Sequence, residues 1–177
     1  MFNVEQCEGL DLPPLLEEEV QDMGQGNELA EQILALPNLK HGGNQACYLP
    51  GPDIILLPHR SSFEHDDFYF CTGYHETLHW SGHPNRLNRV FGTRFGDLDY
   101  AFEELVAEIG AAFLGAHTGI PFETMRHPEY IHHWLQIFKG DSKAIFTAAA
   151  KAQNAADFIL DKAGIVNAEA EPLPVAA

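Results

Sequence analysis

The chain has 177 residues, a formal net charge of −16 and an apolar fraction of 45%. That length and composition suit one domain with a substantial core, and no apolar run is long enough to cross a membrane. The acidic excess excludes the usual electrostatic route to nucleic acid, because such a surface repels phosphate backbones.

Residues 1–26 carry Pro13-Pro14, the acidic run Glu17-Glu18-Glu19 and Met23-Gly24-Gln25-Gly26, and predict an extended lead-in. Asn27 can cap a short helix from Glu28 to Leu36, with Pro37 beyond its end. After Gly42-Gly43 comes a predicted hairpin: Ala46 to Leu49, a Pro50-Gly51-Pro52-Asp53 turn, then Ile54 to Leu57. The second strand leads into the next helix, and its free edge is expected to be able to pair with an extended peptide. That helix starts at Asp66 or Asp67 as cap, is apolar nearly all round, and ends at Gly82 before Pro84. A basic, irregular stretch follows, His83 to Arg89. A long helix from Asp99 to Thr118 stops at Gly119, another runs from Pro128 to Lys139, and a last one from Ser142 to Ala163 is capped by Asp141 and stopped by Gly164. Residues 27–164 are thus the expected domain and 165–177 an expected disordered tail. The class is α+β, mainly α, with a small antiparallel sheet.

Cys7, Cys47 and Cys71 have no paired spacing, which speaks against a disulfide framework and a cysteine zinc ribbon. Cys71, one turn before His75, is expected to be a small buried apolar residue. Met1-Phe2-Asn3-Val4 lacks the basic and apolar regions of a signal peptide, so a cytoplasmic protein is expected.

The helix over 66–82 contains His75-Glu76-Thr77-Leu78-His79. Histidines four apart lie on one helix face, one turn from each other, so both can reach one metal ion. The glutamate between them can take a proton from a water that the metal holds. A third ligand must come from elsewhere. His83 lies directly after Gly82 and is the weaker candidate. On the next helix, Phe102, Leu105, Val106, Ile109 and Phe113 form one apolar face, and Glu104, Ala107, Glu108, Ala111 and Gly115 form the opposite stripe. Small residues around two carboxylates indicate a face pressed against another helix, with the carboxylates buried and in need of a cation. Glu104 is then the third ligand and Glu108 the acceptor for the other ring nitrogen of a ligating histidine. Glu103 is about 100° round the helix and is expected at its boundary.

With these residues laid out, the chain resembles the zincin-like metallopeptidase domain of ArdC-type antirestriction proteins and related polyvalent proteins of plasmids and phages. The blocks that carry the likeness are Phe2 to Gln6 with Gly9-Leu10, Asp53 to Pro58, His75 to Pro84, Arg86 to Arg89, Glu103 to Glu108 and Lys143 to Phe146. The resemblance implies a zincin-like, gluzincin-type fold, one Zn2+ per chain on His75, His79 and Glu104, and Glu76 as general base. Full proteins of the ArdC type carry an N-terminal domain associated with single-stranded DNA, and this chain is expected to begin after it, as either an excised domain or a stand-alone relative.

The expected activity is zinc-dependent peptide hydrolysis, in mobile-element antirestriction or evasion of host defence. The alternative is an acidic, DNA-mimicking module that inhibits a DNA-processing enzyme, with zinc only as a staple. The expected partner is a protein or peptide substrate, with no nucleic acid bound by this domain alone and no membrane. Substrate-binding residues are not assigned, and Tyr100, Tyr130, His132 and His133 are candidates to stabilise an oxyanion.

Overall fold

The computed structural model describes residues 23–91, 98–121 and 128–165. Residues 1–22 of the expected 1–26 lead-in and 166–177 of the expected tail lie outside these residues, as does the side chain of Tyr130, whereas Met23 to Gly26, expected to be extended, open the first helix. The described elements are α1 (Met23–Leu34), β1 (Asn38–His41), β2 (Cys47–Leu49), β3 (Ile54–Leu57), α2 (Asp66–Ser81), α3 (Leu98–Thr118), α4 (Pro128–Gly140) and α5 (Ala144–Lys162).

The helices follow their stop signals closely. α3 ends with Gly119 at φ +70° and α5 with Gly164 at φ +72°. After each, a backbone N–H returns five residues, from Ile120 to Gly115 and from Ile165 to Leu160, closing the last turn. The starts differ more. α1 begins at Met23, so Asn27 lies inside the helix rather than capping it. Asp66 and Asp67 form the first turn of α2, where negative charge suits the helix dipole, and the cap position is His65 with no side-chain bond. Asp66 instead receives both Arg60 Nε and Nη2 at 2.7 Å.

The sheet has the order β1-β3-β2 and is mixed, not antiparallel. The predicted hairpin is present, with Tyr48 opposite Ile55, but β1 pairs parallel to β3 on its other side. β3 is therefore central and has no free edge for a peptide; among the described strands the outer ones are β1 and β2. β3 alternates, burying Ile55 and Leu57.

α3 is the central helix and packs against α2, α4 and α5. One side meets Ala148 and Ala152 of α5 through Leu105 and Val106. α5 presents a face of alanines, Ala144, Ala148, Ala152, Ala155 and Ala156, and leaves Phe146 72% exposed. Small side chains let the helix axes approach closely. At Gly110 an added Cβ would lie 2.4 Å from Leu78 Cδ1 of α2. The other side of α3 carries the predicted small-residue stripe, with Glu104, Ala107, Glu108 and Ala111 all buried against α2.

A candidate metal centre

α2 is buried from Tyr69 to Ser81 apart from Thr72, so His75, Glu76 and His79 are all buried. A helix that is apolar all round has no solvent face, and its polar side chains must find partners inside. The partners are on α3. His75 Nε2 lies 3.1 Å from His79 Nε2, 3.3 Å from Glu104 Oε2, and His79 Nε2 lies 3.6 Å from Glu104 Oε1. The Glu104 carboxylate thus spans the two imidazoles, with Oε2 toward His75 and Oε1 toward His79. Two ligand atoms held about 2.0–2.1 Å from a tetrahedral zinc ion are separated by roughly 3.3 Å. The three residues are the group among the described residues whose donor atoms converge closely enough for one ion.

The remaining ring nitrogens face outward to carboxylates. His75 Nδ1 is 3.8 Å from Glu108 Oε1, and His79 Nδ1 is 3.3 Å from Glu103 Oε1. Glu108 is buried on α3 and faces the His75 ring. Glu103 is not at a boundary: it is 4% exposed and gripped by Arg89, whose Nη2 and Nε donate at 2.7 and 3.0 Å. Local periodicity could not show this, because Arg89 arrives from a loop that folds back under α2. The available signal was a pair of arginines directly after the helix in a strongly acidic chain.

The electrostatics follow from crowding four carboxylates, Glu76, Glu103, Glu104 and Glu108, around two imidazoles. Burial works against the imidazolium of His75, yet Glu104, Glu108 and Glu76 outweigh it and hold its pKa well above the usual histidine value. Burial favours the neutral acid of Glu104, but His75, His79 and a hydrogen bond from Tyr100 hold it below its ordinary value. Glu103 is lowered likewise, against burial, by His79 and Arg89. The cluster demands positive charge. Burial, and then the charge of Glu76, push up the Cys47 thiol on β2.

The other candidates are divided between this cluster and the rest of the fold. His83 Nδ1 accepts the Asn85 N–H at 3.1 Å and is not in the convergent group. His132 pairs with Gln136 and stands edge-on to His133. Tyr100 is engaged with Glu104. Cys71 is buried, with its thiol donating to the Pro121 carbonyl at 3.6 Å.

The profile of the zincin-like metallopeptidase family matches residues 28–151. The chain belongs to this family. Two DNA primases named TraC, both from Escherichia coli, are 40% and 37% identical over 163 residues. An uncharacterized protein of Sinorhizobium fredii, y4eC, is 36% identical over 164. Each alignment takes in 90% of this chain, but the chain spans 15% and 11% of the primases and 52% of y4eC. Among solved structures, the Mn(II)-bound antirestriction protein ArdC from the R388 plasmid matches with a TM-score of 0.71 and 35% identity, over 80% of this chain and 54% of ArdC. Its metal-free form matches with a TM-score of 0.68 and 32% identity, over 94% and 60%. The zincin-like family and the antirestriction relatives are those the sequence resembles, and the mainly helical fold with a small sheet agrees. No helix among the described residues is long and apolar enough to cross a membrane.

Proposed function

We propose that this zincin-like domain is a zinc-dependent peptidase in which His75, His79 and Glu104 hold the ion and Glu76 is the general base. The reading rests on the convergence of His75, His79 and Glu104, whose donor atoms lie within 4.8 Å of one another, with Glu76 buried on the same helix as the two histidines. Two imidazoles and one carboxylate are a set that leaves a divalent ion room for a further ligand, as catalytic sites require. ArdC from the R388 plasmid is described in an Mn(II)-bound form. Nitrogen donors nevertheless favour zinc, since manganese stands lowest among the divalent first-row ions in affinity for such sites.

When bound, the ion supplies Lewis acidity to a water and to the scissile carbonyl. Glu76 takes the proton from the attacking water and passes it to the leaving amine. Glu108 keeps the His75 ring oriented. β2, an outer strand packed against α2, supports an extended peptide in place of the central β3. The charge of −16 supports a protein substrate over nucleic acid for this domain, although the TraC relatives are named as primases.

The test is elemental analysis of the purified domain with a peptide-library digest in the presence and absence of chelator. About one zinc per chain and chelator-sensitive cleavage support the reading. A domain free of metal under non-chelating conditions overturns it.

A further inference from the structure

We infer that Arg89 and Glu103 form a buried positioning pair that fixes the ring of His79, with Gly82 leaving the space through which the arginine reaches. The inference rests on the reading of His79 as a metal ligand. Its observations are separate. The Arg89 and Glu103 side chains are 6% and 5% exposed, and a buried ion pair is retained only where its geometry is nearly complete. Here it is. Besides the fork onto Glu103, Arg89 Nη1 donates to Ser81 Oγ at 2.9 Å and Nη2 to the Leu78 carbonyl. The guanidinium thus ties the last turn of α2 to the first turns of α3.

Glu103 is the member of that arrangement that touches a ligand, with Oε1 3.3 Å from His79 Nδ1. An Nδ1–H donating there fixes the tautomer and turns Nε2 toward His75 and Glu104. Arg89 acts one step further out. Its fork holds the carboxylate in one orientation, which a lysine ammonium cannot do.

Gly82 supplies the third observation. Its φ of −79° is helical and open to any residue, so the glycine is not needed for the turn. It is needed for room: an added Cβ would lie 2.8 Å from Phe91 Cζ and 2.9 Å from Arg89 Nη2. A methyl group there displaces the guanidinium.

The test is a titration of the full chain with Zn2+ and with Co2+ against a chromophoric chelator. Parent, Glu103→Ala, Arg89→Lys, Gly82→Ala and, as control, Arg86→Gln are compared, each with a melt in chelator. Glu103→Ala is expected to weaken Zn2+ by about 10–100-fold, and Arg89→Lys and Gly82→Ala by about 10-fold. Arg86→Gln frees the same loop from its other attachment and is expected to bind as the parent does, even if it melts lower. If Glu103→Ala does not fold, Arg89→Lys and Gly82→Ala carry the test. Parent-like affinity in all three variants, with a parent that binds zinc, overturns the positioning role alone. So does an equal loss in Arg86→Gln, which would make the effect one of loop docking. A parent that binds neither ion overturns this inference together with the metal-site reading.

Discussion

Two arginines three residues apart, Arg86 and Arg89, each grip a carboxylate, and their surroundings could hardly differ more. Arg86 binds Asp53 in the β2–β3 turn, where the aspartate side chain is 37% exposed. It also donates to the Trp80 carbonyl and Tyr48 Oη and lies over the Trp80 ring. Arg89 binds Glu103 where both side chains are buried. The outer pair is a tether: it fastens the hairpin over the end of α2, and water can replace its bonds. The inner pair belongs to a buried charged cluster. The difference teaches where function resides. The α2–α3 seam holds buried charges that an apolar filling would replace at little cost, so its composition answers to a cation, whereas the tether answers to stability.

The strongest way to break that contrast is to remove a ligand. Glu104→Ala is predicted to lose zinc and all hydrolysis and to melt lower than the parent in the presence of zinc, because bound metal contributes to folding. Elemental analysis and a melt with and without zinc check it; normal zinc content would move the third ligand to Glu108, Glu103 or His83. Glu76→Gln sharpens the contrast within the seam. It keeps the volume and removes the base, so zinc should stay while hydrolysis falls by about 10²–10⁴-fold. If Glu76→Gln keeps full activity in inhibiting restriction enzymes and the parent cleaves nothing, the acidic, DNA-mimicking module replaces the peptidase.

Next in size is a change with no charge in it. Gly110→Ala on α3 puts a methyl 2.4 Å from Leu78 Cδ1 and 2.8 Å from its Cγ, and Leu78 is wholly buried. Alanine restores about 1 kcal/mol of helix propensity, but overpacking costs about 1–3 kcal/mol. A net loss of about 1 kcal/mol is expected, read in urea as a lower midpoint at unchanged slope. A gain in stability would mean that Leu78 can swing aside and that the seam is looser than its burial indicates.

How much of this was legible follows from the range of each signal. His75 and His79 announce themselves because one helical turn separates them, and Glu104 and Glu108 because small residues flank them on one stripe. Gly119 and Gly164 mark ends that local geometry enforces. What needed the third dimension was missed. Asn38–His41 has no alternation of apolar residues, and only its parallel register with Ile54–Leu57 makes it a strand. For that reason the sequence predicts an antiparallel sheet in which β3 keeps a free edge. Glu103 looks like an ordinary acidic helix start until Arg89 folds back to meet it. α5 shows the same limit: its apolarity is plain, but the alanines rather than Phe146 turn inward.

The smallest predicted effect belongs to the tether, and acid isolates it. Hydrogen bonds from Arg86, assisted by Tyr48 and opposed by burial, pull the Asp53 carboxyl down from 3.8 to about 2. A depressed carboxylate contributes stability that is fully present above the unfolded value and is lost as pH falls through the folded one. The window therefore runs from about pH 4 down to about pH 2. At pH 6 the half-exposed pair contributes about 0.2–1 kcal/mol, so Asp53→Asn should melt roughly 1–3 °C below the parent. Below pH 4 that gap should close, because the parent loses what the variant never had. Both proteins carry the same buried cluster, so its own response to acid cancels in the difference. Melts in chelator at a series of pH values from 6 to 2 read the gap directly. A gap that stays constant across the series would mean that Asp53 holds the hairpin through turn geometry, at its φ of +55°, rather than through its charge.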